Sequence, residues 1–147
     1  MPGYRAHIFG GATVAAIGVG LLYFMHVERS PAVLAGLAGT CLAGSLFPDI
    51  DTDSMAQRLF YLLLLLLDGW LLYTRRVSAA AWLGVGAILP GLVPHRGLTH
   101  TVTFAIILSA AIAFLPNLTM GLDWHVLWPF GAAFGLGVLS HLLLDQW

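Results

Sequence analysis

The sequence predicts an all-α fold, a polytopic membrane helical bundle with about five to six apolar helices. Two observations carry this prediction. Of the 147 residues, 59% are hydrophobic and only 9% are charged, whereas a soluble domain averages about 25% charged residues. The apolar residues also gather into segments that approach the ~20 residues needed to cross the bilayer core. Because the length allows one domain only, residues 1–147 are expected to form a single membrane-embedded domain.

Six apolar segments follow one another at residues 6–25, 31–47, 57–74, 78–93, 100–116 and 125–146. The first is expected to be a retained helix, since it is longer than the apolar part of a signal peptide and no small-x-small cleavage site follows it. The second and fourth are short, which favours tilted or partly inserted helices. Prolines stand at or near the boundaries, where helices begin or end: Pro31, Pro48, Pro94 and Pro116.

The charge of the chain excludes one class of partner. The net charge is −1 and the chain contains no lysine, whereas binding to a phosphate backbone needs a basic surface. We therefore expect no nucleic-acid partner, and membrane lipids as the surroundings. The single cysteine, Cys41, lies in an apolar segment and is expected to be a small packed side chain. The sequence does not indicate an oligomeric state.

Four polar clusters are predicted to meet on one face of the membrane. His7 begins the first segment, "PDID" (48–51) ends the second, "HRGLTH" (95–100) joins the fourth and fifth, and "SHLLLD" (140–145) ends the sixth. If the six segments cross in alternation, all four clusters lie on the same side. They contain His and Asp rather than Lys and Glu, which is metal-ligand chemistry. Ionisable groups at membrane depth are costly unless they are paired or liganded.

The spacing within the clusters sharpens this prediction. His141 and Asp145 are four residues apart and share a helix face, and Asp49 and Asp51 point the same way if their segment is extended. Gly97 favours a turn that brings His95 and His100 together, with His100 starting the fifth helix. The predicted metal ligands are His7, Asp49, Asp51, His95, His100, His141 and Asp145. Purely structural roles remain open: a hydrogen-bonded helix pair, turn residues and a polar tip at the interface.

The same motifs, with Ser54 and Arg58 after "PDID", resemble a family of bacterial inner-membrane, metal-dependent hydrolases typified by YdjM. The resemblance spans residues 4–145, and it includes a histidine near the first helix, here His7. It implies localisation in the inner (plasma) membrane as a multi-pass protein. It also implies a distant relationship to zinc-dependent phospholipases C and P1-type nucleases, whose His-x-x-x-Asp pairs "HLLLD" resembles, and hence phosphoester hydrolysis.

The resemblance and the site together predict a single hydrolase-like domain that holds two or more divalent ions, most readily Zn²⁺. A metal-activated water would attack phosphorus. Predicted catalytic residues are Asp51, to orient the water, Arg96, whose guanidinium matches phosphate oxygens, and Thr99, which is alternatively a helix cap. Because a site at the membrane interface meets lipids first, we expect a lipid phosphoester as substrate.

Two other classes of function fit part of the pattern. A transporter for divalent metals or protons also uses His and Asp in the membrane, but it needs them near the midplane rather than on one face. A structural membrane protein could use the metal only to staple helices, with no open coordination position. Metal content and phospholipid hydrolysis of the purified protein separate the three.

Overall fold

The chain folds into helices, as the sequence predicts. A computed structural model describes residues 4–51, 55–88 and 100–146. The helices are, in order, α1 (Tyr4–Phe24), α2 (Pro31–Leu46), a 3-10 helix (Phe47–Asp51), α3 (Met55–Tyr73), α4 (Val77–Ile88), α5 (Val102–Met120) and α6 (Trp124–Leu144). Within these ranges there is no strand, which confirms the all-α prediction.

Three helices are long and apolar enough to cross a membrane, judged by length and composition: Tyr4–Phe24, Pro31–Ile50 and Trp124–Leu144. A shorter apolar helix covers Val102–Leu118. Large apolar side chains cover much of the outer surface, for example Phe9, which is 75% exposed, and Leu65, which is 69% exposed. Such a surface is suited to lipid. A membrane-type helical bundle is thereby confirmed, and the number of spans stays a prediction.

The chain forms two compact units, Met1–Pro48 with His100–Trp147, and Asp49–Thr99. The first unit is built on α2 and α6, which run in the same direction. A Cβ atom at Gly44 would overlap the Phe134 carbonyl oxygen, and one at Gly137 would overlap the Cys41 carbonyl oxygen. Glycine at both positions therefore lets the two backbones touch, which is how helices associate closely in lipid.

Helices α1 and α5 pack on either side of this pair, each antiparallel to its neighbour. The Cys41 thiol lies 3.7 Å from the Gly11 carbonyl oxygen, to which it donates. Cys41 is only 3% exposed, so the prediction of a packed thiol is confirmed. Between α5 and α6 lies a small core of Ala105, Phe134 and Val138.

The ends of α5 differ from the sequence-based expectation. The helix does not stop at Pro116 but continues to Met120, because proline removes one backbone donor without preventing the next turn. It ends at Gly121, whose φ of 68° is left-handed. At the other end the cap is Thr101, whose hydroxyl accepts from the Phe104 N–H at 3.1 Å. His100 therefore precedes the helix instead of starting it.

The segment after α2 also differs from expectation. The prediction that Asp49 and Asp51 point the same way holds only if their segment is extended, but Phe47–Asp51 form a 3-10 helix. The condition for aligned carboxylates is therefore not met.

The second unit contains the α3–α4 hairpin. Leu71 and Ala80 are buried in it, and the Tyr61 hydroxyl donates to the Ala87 carbonyl oxygen at 3.2 Å. Asp68 lies in α3 with one carboxylate oxygen buried and, among the described residues, no hydrogen-bond partner for it. Arg76 stands over the Trp70 ring, 5.8 Å from its centroid.

Candidate metal centre

Asp145 lies at the end of α6 and faces three imidazole rings of the first unit. Its carboxylate oxygens are 3.4 Å from His7 Nε2, 3.6 Å from His100 Nε2 and 3.3 Å from His141 Nε2. His7 comes from the first turn of α1, and His100 precedes α5. Four predicted ligands from three parts of the sequence are thus brought together, and we call His7, His100, His141 and Asp145 the Asp145 cluster.

The spacing within the Asp145 cluster suits ligands of one ion better than hydrogen-bonded partners. Hydrogen bonds between N–H and oxygen are usually about 2.7–3.2 Å long, and charged ones are shorter. All three nitrogen–oxygen distances are longer, at 3.3 to 3.6 Å. Ligands at about 2.0–2.2 Å from a tetrahedral Zn²⁺ lie roughly 3.3–3.5 Å from one another. The side chains of His7, His141 and Asp145 also offer ligand atoms that all lie within 4.8 Å of each other.

A contact with the backbone determines the tautomer and the orientation of the His141 ring. Its Nδ1 lies 2.8 Å from the Ser45 carbonyl oxygen. A carbonyl only accepts, so Nδ1 carries the hydrogen, and Nε2 of the neutral ring presents a lone pair. That lone pair faces the Asp145 carboxylate, which is also an acceptor. A hydrogen shared with the carboxylate, or a metal ion bound to Nε2, would reconcile these two acceptors. Metal-binding histidines are held in this way by their second nitrogen.

The rings of His7 and His141 lie too close together for both to carry a charge at low cost. They are stacked, with centroids 3.7 Å apart and planes 16° from parallel. His7 is 1% exposed and His141 0%, so two imidazolium charges would repel each other in a buried place. One carboxylate cannot balance both. A divalent ion shared by neutral rings and the carboxylate removes this repulsion.

The helix ends around the cluster favour a cation. The C-terminal ends of both α2 and α6 lie here, and such ends carry a partial negative charge. The Ser45 carbonyl is one of the last four carbonyls of α2, which have no hydrogen-bond partner within the helix. The His141 ring donates a hydrogen bond to it. The cluster therefore combines a carboxylate, imidazole nitrogens and helix C-termini.

A family model described as "YdjM inner membrane protein" matches residues 1–147, which is the whole chain. The chain belongs to the YdjM inner membrane protein family. This confirms the family predicted from "PDID", "HRGLTH" and "SHLLLD". No match was found among curated proteins or among solved structures. The relationship to zinc-dependent phospholipases and nucleases stays a prediction, whereas membership of an inner membrane family and three helices of spanning length support a membrane protein.

For the other five predicted site residues of this YdjM family member, the structure does not test the predicted role. Asp49 belongs to the second unit and is partly buried. Asp51 ends the 3-10 helix, and its side chain lies outside the description. His95, Arg96 and Thr99 lie outside the described residues. Their roles as ligands or catalytic residues stay predictions.

Sequence reasoning missed the part played by Ser45. Its side chain turns back to the Leu42 carbonyl at 2.8 Å, and its contribution to the site is the backbone carbonyl that orients His141, 96 positions away. A backbone group leaves no residue-type signal. The available hint was position alone, because Ser45 lies in the last turn of a helix that ends at the predicted site.

Proposed function

We propose that this YdjM family member is a membrane-bound, metal-dependent hydrolase that acts on a lipid phosphoester. The observation that carries the proposal is the Asp145 carboxylate faced by three imidazole nitrogens at 3.3 to 3.6 Å. His and Asp together are the ligands of catalytic zinc sites. When bound, a divalent ion such as Zn²⁺ supplies Lewis acidity that makes water a nucleophile at neutral pH and stabilises phosphoryl charge.

Partial exposure of the cluster supports a catalytic rather than a stapling role. Structural metal sites are closed, while catalytic sites keep a position open. His7 and His141 are buried, but the side chains of His100 and Asp145 are 12% and 21% exposed. One side of the cluster therefore accepts water and a phosphoester, while the buried pair holds the metal.

Residues predicted from the sequence complete the reaction. Asp51 is proposed to orient the attacking water and take up its proton, and Arg96 to hold the phosphoryl oxygens while the phosphorus–oxygen bond to the leaving group breaks. Asp49 and His95 are proposed as further ligands. Along the sequence, Asp49 follows Ser45 by four positions and Arg96 precedes His100 by four.

The position of the cluster along its helices favours an enzyme over a transporter. His7 lies in the first turn of α1, and Asp145 directly follows the last residue of α6. Both helices are candidate spans of 21 residues, so the cluster lies at their ends, whereas ion sites of transporters lie near the midplane. A substrate with its phosphate in the headgroup region and its tails in the membrane meets the cluster there.

The direct test uses protein purified in detergent. We expect elemental analysis to find a divalent metal, and the protein to release a phosphorylated or dephosphorylated headgroup product from phospholipid micelles. Removal of the metal by a chelator should abolish hydrolysis, and addition of Zn²⁺ should restore it. Bound metal without hydrolysis of any phosphoester would indicate a structural metal that only holds the helices together. Metal flux into vesicles would indicate a transporter.

Replacement of Arg96 by lysine should separate binding of the metal from turnover. Lysine keeps the charge but lacks the two-pronged guanidinium that matches phosphate oxygens. We expect Arg96→Lys to keep its metal and to lose roughly tenfold to hundredfold in turnover, measured with saturating phospholipid. Arg29→Lys is the control, because Arg29 contacts His26 at the opposite end of α1. Unchanged turnover in Arg96→Lys would exclude the phosphate role.

A further inference from the structure

An apolar crevice runs between α1 and α6, with α2 as its floor. It encloses about 310 Å³. One wall includes Gly18 of α1 and Met25 directly after that helix, the other includes Trp128 and Ala133 of α6, and Leu37 lies in the floor. Every lining residue is of an apolar type. Both walls belong to helices that carry ligands of the Asp145 cluster.

The crevice leads away from the cluster along α1. At the cluster end, α1 and α6 are in contact, because His7 stacks on His141 and Gly10 lies against the Leu144 side chain. Farther along, the two helices leave space between them. Val14, the first lining residue, is seven residues beyond His7, or about 10 Å at 1.5 Å per residue. Met25, the last, is about 27 Å from His7 by the same rise.

The dimensions indicate a single hydrocarbon chain as occupant. Atoms that line an empty crevice lack dispersion contacts on one side. A crevice that is open to lipid is therefore expected to be filled. A headgroup finds no polar partner on the described walls. The crevice is about 16 Å long from Val14 to Met25 at 1.5 Å per residue, a length on the scale of one extended hydrocarbon chain.

We propose that the crevice binds one acyl chain of the lipid whose phosphoester lies at the Asp145 cluster. The proposal rests on the proposed function and adds a subsite to it. Lipid tails in the bilayer are as apolar as the crevice, so binding of the tail does not gain hydrophobic free energy. It positions the substrate, because a chain held between α1 and α6 places its own headgroup at the end where the helices meet. The enzyme should then prefer lipids with chains long enough to reach Gly18.

Filling the crevice tests this preference. A Cβ atom at Gly18 meets nothing within 4 Å, and the same holds for Gly20, which does not line the crevice. Gly18→Phe should therefore occupy the crevice without disturbing the fold, with Gly20→Phe as the matched control on the same helix. We expect Gly18→Phe to keep its metal and lose roughly tenfold in kcat/KM for dipalmitoyl phospholipid, the scale of impaired positioning, with little change for the dihexanoyl form.

A binding measurement keeps the subsite testable when no hydrolysis is found. The probe is a phosphonate analogue of phosphatidic acid, which resists hydrolysis at the glycerol bond and carries a photoactivatable diazirine near the end of one chain, in phosphatidylcholine vesicles. Its control is a diacylglycerol with the same chain and no phosphate. We expect the phosphonate to cross-link more strongly than the diacylglycerol within residues 18–25 and 128–136, and Gly18→Phe to remove this excess.

Each result bears on one proposal. Equal cross-linking of the crevice by the two probes would mean ordinary bilayer lipid and would overturn the acyl subsite, as would equal loss of activity in Gly18→Phe and Gly20→Phe. Absence of cross-linking in the crevice, with a segment of a second copy found there instead, would also overturn it. Excess cross-linking by the phosphonate in a protein without hydrolysis would uphold the subsite and refute the hydrolase.

Discussion

Asp145→Asn is expected to lose most of its bound metal and all measurable hydrolysis. Asn keeps the shape of the side chain but removes the negative charge that three imidazole nitrogens face. Changes in groups that merely orient ligands cost about 10- to 100-fold in metal affinity, so loss of a charged ligand should cost roughly a hundredfold or more. Elemental analysis after dialysis, and competition with a chromogenic chelator, measure the loss.

The same substitution at the other end of α6 provides the control. Asp123 caps that helix, its side chain accepting from the His125 N–H at 2.9 Å, and asparagine caps as well as aspartate. Asp123→Asn should therefore keep its metal and its activity. His141→Ala is the companion variant, expected to behave as Asp145→Asn does. Full metal in both Asp145→Asn and His141→Ala would show that the α6 pair does not bind a metal.

Thermal unfolding gives a second reading of the same variants. A ligand that binds only the folded protein raises the melting temperature, and the stabilisation grows with the logarithm of the ligand concentration relative to Kd. Zn²⁺ should stabilise the parent protein and Asp123→Asn, and it should leave Asp145→Asn unchanged. A variant that lost metal only because it unfolded would instead melt far below the parent in a chelator.

Gly137→Leu is expected to abolish the packing of α6 on α2. A side chain at this position overlaps the Cys41 carbonyl oxygen and lies close to the Ser45 N–H, and backbone cannot move aside as a flexible side chain can. We expect a destabilisation on the order of 4 kcal/mol or more, within the range of severe overpacking. The folded yield in detergent and the thermal aggregation midpoint measure it.

Metal binding should fail together with packing in this variant. Gly137 lies one turn before His141, whose ring is held by the Ser45 carbonyl at 2.8 Å. Separation of α2 from α6 breaks that hydrogen bond and frees the ring. Gly39→Leu is the control, because a Cβ atom there meets nothing within 4 Å. A stable, metal-loaded Gly137→Leu would refute the close approach of the two helices.

Sequence reasoning reached the helices and the His and Asp side chains that lie together, because both leave local signals. Apolar segments mark the helices, and His141 and Asp145 share a helix face whatever the fold. Alternation of the segments was enough to predict that His7 and Asp145 lie at the same end. These inferences use residue type and spacing, which the chain carries without knowledge of its packing.

The remaining features depend on packing that no local pattern encodes. The Ser45 carbonyl takes part in the site because α2 ends beside α6. Glycines are frequent in this chain, with 17 in all, so composition does not single out Gly137 as the one that touches the Cys41 backbone.

The contact between the stacked rings of His7 and His141 can form only late in synthesis of the chain. The two residues are 134 positions apart, and ribosomes add about 5–20 residues per second. For on the order of ten seconds, the first helix stands in the membrane without the partner that completes its ligand set. The proposed metal site is therefore complete only after α6 has entered the membrane, and a chain that stalls earlier leaves the buried His7 without the ring on which it stacks.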